Sequence, residues 1–183
     1  MIYIIISIIS IIFLYLVFVY NNLIKNKNLV EEGWSGIDVQ LKRRSNLIPN
    51  ILNSVKGYMS HEKNLLEEIT ELRSQSNATN TVIDQGKAES ALSGSLMSLF
   101  AVAENYPELK ANSNFLDLQK QLQEIENNIQ MARRYYNGTV RNNNVLIESF
   151  PTNLVANTFN FETADFFEIE DQNLRDVPIV EFN

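Results

Sequence analysis

Two short basic clusters are the most chemically loaded positions in the chain. One is Lys42-Arg43-Arg44; the other is Arg133-Arg134, followed by Tyr135 and Asn137. A guanidinium group binds carboxylate or phosphate through paired N–H bonds in a fixed plane. Arg43, Arg44, Arg133, Arg134, Tyr135 and Asn137 together make a candidate polar cluster, a notch for an acidic peptide, a lipid headgroup or a phosphate. The competing reading is a structural ion pair that fixes helix register. Arg44 sharpens that choice, because it falls in an apolar seam where an unpaired guanidinium is costly. Glu104, Glu124 and Glu126 are candidate partners on other helices, and Thr139 and Asn143 offer polar atoms.

Other chemistry lacks its parts. The chain has one histidine, His61, and no cysteine. A di-metal carboxylate bundle needs Glu-x-x-His on facing helices, and no glutamate stands three residues before His61. His61-Glu62 is not a zinc motif either, since position 65 is Leu65 where a second histidine is required. Gly33-Trp34-Ser35-Gly36 fits no phosphate loop, and Trp34 reads as a seam residue. A serine triad would lack a base beyond His61. The sequence therefore predicts a protein that is not an enzyme, with no catalytic residues, no metal ligands and no cofactor.

The elements that would position the arginines begin with a long apolar run. Met1–Ile24 carries no charged side chain, and Ile2–Tyr20 is broken only by serines and tyrosines. At about 1.5 Å per residue that stretch makes roughly 28 Å of helix, near the thickness of a bilayer's hydrocarbon core. Tyr15 and Tyr20 suit an interface, where an amphipathic ring settles. A cleaved signal peptide would want cations before the run and small residues after it. Here the cations Lys25, Lys27, Lys42, Arg43 and Arg44 all come after it. The expectation is an uncleaved, single-pass anchor in the inner (plasma) membrane, N-terminus out and C-terminal domain cytoplasmic.

The rest is large enough for one core, about 160 residues. Four prolines and six glycines favour long helices. The net charge of −7 is uneven. Residues 159–183 hold seven acids against Arg175 alone, so a near-neutral body carries an acidic tail. Nothing resembles a basic nucleic-acid footprint.

Apolar residues recur at Val30, Trp34, Ile37, Leu41, Ile48, Ile51, Val55 and Tyr58, with Arg44 taking the seam place between. The alternating spacing of four and three is that of helices packed nearly antiparallel. Pro49 predicts a kink near Ser45–Leu47. A second helix is expected over His61–Gln75, capped by Ser60. Ser76–Asp84 reads as a loop, and Asp84 as the cap of a third helix over Gln85–Asn105. A fourth runs over Ser113–Glu148 with Ser113 as its cap, and Pro151 closes it; 153–157 has room for one further turn. The fold expected is all-α, an antiparallel four-helix bundle on an N-terminal transmembrane helix, with a short extended acidic tail. Its parts are an anchor (1–24, span about 2–20), a bundle (25–158) and a tail (159–183) packed on or near the bundle.

Several motifs together resemble the LemA family of bacterial membrane proteins. They are Tyr20-Asn21-Asn22-Leu23, Val39-Gln40-Leu41-Lys42-Arg43-Arg44, Leu47-Ile48-Pro49-Asn50, Val55-Lys56-Gly57-Tyr58 with His61-Glu62, Glu104–Ala111, Ala132–Asn137 and Asn153-Leu154-Val155-Ala156. They cover nearly the whole chain in family order. The resemblance implies a single N-terminal span, a short outward N-terminus and a cytoplasmic antiparallel helical bundle, with no assigned biochemical activity. Ser45-Asn46 departs from the family's habit of an Asp before Leu47-Ile48-Pro49. The function expected is a membrane-anchored adaptor or scaffold. Its partners would be the bilayer, through the N-terminal helix, and a membrane or cytoplasmic protein, with no nucleic acid. The alternative is a sensor that binds an anionic ligand at the arginine notch, with the acidic tail able to fold back and block it.

Overall fold

The computed structural model describes residues 1–168. Every regular element among them is an α-helix: α1 (Ile2–Val55), α2 (Lys63–Asn77), α3 (Val82–Ala103), α4 (Pro107–Lys110), α5 (Ser113–Glu148) and α6 (Thr152–Thr158). The chain forms two compact units, and α1 and α5 each contribute a part to both.

The first unit holds Met1–Leu41 and Asn127–Phe166. Its α1 portion begins with the apolar run, in which residues 2–18 are all exposed. Among the described residues, α1 is the one helix long and apolar enough to cross a membrane. The run passes without a break into the polar part of the helix. Nothing in 21–30 stops a helix, and the backbone stays helical throughout. Val19 and Leu23 leave the run's exposed character and pack with Ile147, Val155 and Ala156. Further along, Gly33 lets α5 approach closely. A Cβ at position 33 would stand 3.1 Å from Tyr136 Cα and 3.3 Å from Thr139 Oγ1. Trp34 lies tilted against Tyr136, ring centroids 5.5 Å apart.

The second unit holds Lys42–Glu126 with Phe167 and Glu168. Its core joins Ile48, Ile51 and Val55 of α1 to Ile69 of α2, Leu92, Leu96 and Leu99 of α3, and Phe115 and Leu122 of α5. Each such side chain contributes about 1.5–3 kcal/mol on leaving water. α2 and α3 are also tied by Ser95, which donates to Glu68 Oε1 at 2.7 Å.

Several local expectations are corrected. α2 begins at Lys63, after Glu62, and no side chain caps it, so Ser60 is not the cap. α3 begins at Val82, with Thr81 accepting from the Asp84 N–H; the threonine is the cap and Asp84 lies in the first turn. Between them only 78–81 is loop, because Ser76 and Asn77 remain in α2. At α5 the capping oxygen belongs to Asn112, which accepts from the Phe115 N–H at 3.2 Å, rather than to Ser113. α6 is the extra turn expected near 153–157, slightly longer. His61 sits exposed in the turn after α1, not on a helix end.

Beyond α6 the described chain to Glu168 has no regular structure, and side chains hold it. Phe161 packs on the first unit's core, and Asn144 brackets Ala164 with two bonds of 2.9 Å. Phe167 is fully buried. The rest of the predicted acidic tail, 169–183, lies outside the described residues.

Candidate functional site

Among the described residues Arg44 is the largest fully buried side chain, at 1 % exposure. The same 3.6-residue period that buries Leu41 and Ile48 carries it inward, so its charge must be met inside the second unit. Glu89 of α3 meets it, itself 2 % exposed. Glu126 of α5 accepts from Arg44 Nη1 at 2.6 Å, and Ser93 Oγ accepts from the same nitrogen at 2.6 Å. Glu89 Oε2 faces the guanidinium as an ion pair. Its other oxygen accepts from Ser76 Oγ, and from Gln85 Nε2 at 2.8 Å. Gln85 Oε1 in turn accepts from Thr79.

The result is one guanidinium between two carboxylates, enclosed by hydroxyl and amide groups from α2, the loop after it and α3. Glu126 is 27 % exposed, so water shares its charge. Such a cluster is paired largely within itself, with Arg44 Nε the guanidinium nitrogen that finds no acceptor. The cation's attraction for an external anion is already spent on two internal ones, and no group in it is placed as a nucleophile with a base.

The sequence named Glu126 as one candidate partner, and it is one; Glu104 and Glu124 are not among the groups that meet Arg44. Glu89 was missed. The signal was present: the α3 seam of Leu92, Leu96 and Leu99 extends back three residues to Glu89, an acid in an apolar place as Arg44 is a base in one.

The other predicted notch residues are divided between the two units. Arg43 is exposed on α1 in the second unit. Arg133, Arg134, Tyr135 and Asn137 are on α5 in the first unit, with Arg133 and Asn137 half-buried and Arg134 and Tyr135 exposed. Tyr136, between them, is buried and donates to the Asp165 carbonyl at 2.8 Å. Burial, then the nearby Asp165 charge, raises its phenol above the ordinary value. Two open cavities are also present. One of about 600 Å³ in the second unit runs beside Pro49, Leu52, Met59 and Leu66 and is edged by Lys56 and Arg73. One of about 420 Å³ in the first unit is walled by Tyr20, Lys27, Glu31, Asn143 and the 159–164 segment.

These features define a protein that is all-helical among its described residues, whose first helix is long and apolar enough to span a bilayer and whose second unit holds a buried ion cluster. The LemA family model matches residues 33–182, and the chain belongs to the LemA family. It is similar to Protein LemA of Metamycoplasma hominis, 28% identical over 160 residues that cover 86% of this chain and 72% of that protein. It is also similar to Magnetosome protein MamQ 2 and Magnetosome protein MamQ 1 of Paramagnetospirillum magneticum, each 22% identical over 187 residues, covering 88% of this chain and 68% of either relative.

Proposed function

We propose that this chain is a single-pass anchor carrying a four-helix bundle, and that it acts as a non-catalytic adaptor or scaffold for protein contacts at the bacterial inner membrane. The N-terminus lies outside, and the bundle and its acidic tail in the cytoplasm. The observation that carries the reading is the internal pairing of Arg44 with two carboxylates. This buried cation holds two carboxylates and a serine, which suits a group that fixes helix register rather than one that waits for a ligand. The exposed apolar residues of 2–18 support the anchor, and the cations after them support the orientation.

The alternative is recognition of an anionic ligand, a lipid headgroup or an acidic peptide by Arg43, Arg44, Arg133, Arg134, Tyr135 and Asn137. It would have to proceed without Arg44's charge.

The test is quantitative crosslinking capture from membranes. It compares the full chain, a chain with Arg43→Ala/Arg133→Ala/Arg134→Ala, and residues 1–24 fused to an unrelated helical protein. An adaptor enriches a discrete set of proteins over the fusion. Equal recovery from full chain and fusion rejects the adaptor. Loss on substituting the three arginines, with folding intact, would assign the contact to them. Protease added to intact spheroplasts checks the orientation, because cleavage of the bundle would reverse it.

A further inference from the structure

Within the first unit α5 runs antiparallel to α1. Gly33 faces Tyr136 and Thr139, while Val19 and Leu23 pack with Ile147. The chain therefore leaves α5 at Glu148 travelling back toward the apolar end of α1. It turns through Ser149, Phe150 and Pro151 and enters α6. The inner face of α6, Val155 and Ala156, joins Val19 and Leu23. Phe159, just after it, meets the Tyr20 ring edge-on with centroids 4.9 Å apart. Residues 150–159 are thus held at the level where the uncharged run of α1 ends.

The outer side of this corner is apolar and uncovered. Phe150 is 79 %, Leu154 60 % and Phe159 57 % exposed. Three large apolar side chains exposed within ten residues make a patch of the kind that marks a contact surface. Through Tyr20, on which Phe159 packs, the corner adjoins the end of the exposed run of residues 2–18, which a bilayer would cover.

We propose that the α5–α6 corner is a second membrane contact, seated at the boundary of acyl chains and headgroups, with Phe150, Leu154 and Phe159 entering the lipid beside the span. A bilayer is the one occupant that would cover both the run and the corner in a single plane. Aromatic and leucine side chains on a short interfacial element are the composition such a depth favours. The contact would fix how the first unit stands on the membrane, since a span alone leaves it free to tilt. This inference rests on the reading of residues 2–20 as a span.

The chain has no cysteine, so single labels can be placed at will. The full chain is reconstituted in phosphatidylcholine/phosphatidylglycerol nanodiscs with a nitroxide on Ile8→Cys, Phe150→Cys, Leu154→Cys or Met131→Cys. All four positions are exposed, so the fold tolerates the label. Relaxation by oxygen and by a water-soluble nickel complex then reports depth. The expected result is a several-fold higher oxygen-to-nickel ratio at 150 and 154 than at 131, approaching that at 8. A ratio at 150 and 154 equal to that at 131, with 8 in lipid, overturns the corner contact and leaves the anchor standing. An aqueous signal at 8 overturns the anchor, and the corner contact with it.

Discussion

Arg73 Nε donates to the Ser45 carbonyl oxygen at 2.7 Å. Ser45 stands four residues before Pro49, so its carbonyl is the one that a helical N–H at position 49 would have satisfied. Proline has no such N–H. A side chain from α2 supplies the missing donor, and α1 continues through Pro49 to Val55. The buried Ser45 hydroxyl is paired as well, with Asn77 at 3.1 Å. The proline that predicted a local kink has thereby become a joint between α1 and α2.

This relationship makes a double-mutant prediction. Arg73→Ala should lower stability by about 1–2 kcal/mol, the cost of leaving a partly buried carbonyl without a donor. In a Pro49→Ala background the backbone N–H returns, and the same substitution should cost clearly less. Denaturant midpoints of the four solubilised full-length proteins decide it. Equal costs in both backgrounds would mean that Arg73 does not compensate for Pro49.

The buried cluster predicts an asymmetry between deletion and replacement. Arg44→Ala should destabilise by about 3–5 kcal/mol, because Glu89 keeps a buried charge with no counterion. Arg44→Met combined with Glu89→Leu removes both charges and should recover much of that loss. Thermal unfolding followed by circular dichroism measures both. Additive losses in the double variant would show that the two residues are not energetically paired.

Two glycines should resist the smallest possible substitution. At Gly33 a methyl group would press on the Tyr136 backbone, which cannot rotate aside. At Gly86 it would run into the Glu168 carbonyl oxygen and lie 3.3 Å from the carbonyl carbon. Each Gly→Ala change should cost about 1–3 kcal/mol by overpacking, against the usual gain from alanine in a helix. Gly94→Ala is the control, since its Cβ would meet nothing within 4 Å and should be neutral or stabilising. The readout is the unfolding midpoint of each single variant. Protection from limited proteolysis near residue 168 should fall for Gly86→Ala alone.

Tyr136 predicts an alkaline limb. Its folded phenol ionises above the ordinary value near 10, burial first and the Asp165 charge second. The unfolded chain thus releases the proton first as pH rises. The contribution is complete below about pH 10 and declines from there through the higher folded value. Tyr136→Phe should remove that decline and should also cost about 1 kcal/mol at neutral pH for the bond to the Asp165 carbonyl. Stability measured from pH 8 to 11 tests it, and an unchanged slope in the variant would reject the assignment.

Much of this protein is written in its periodicity. The uncharged run, the bounds of α5 and the burial of Ile37, Leu41, Ile48, Ile51 and Val55 all come from helical spacing, which is local. So does the displacement of Arg44 into a seam, and with it the need for a buried counterion. Caps were less legible, because Ser60, Thr81, Asp84, Asn112 and Ser113 compete within a residue or two and the winning geometry depends on how the preceding loop arrives. The identity of the partners was not local at all. Glu89, Glu126 and Ser93 come from two other helices, and Arg73 reaches the carbonyl that Pro49 left open from a third. The sequence by itself settled most of the apolar side chains that leave water, though not Glu89, and it placed Tyr58 in the seam where the structure leaves it exposed. Which of them meet was decided only by the tertiary placement of helices, because a helical period sets the face a residue occupies and says nothing about the face opposite.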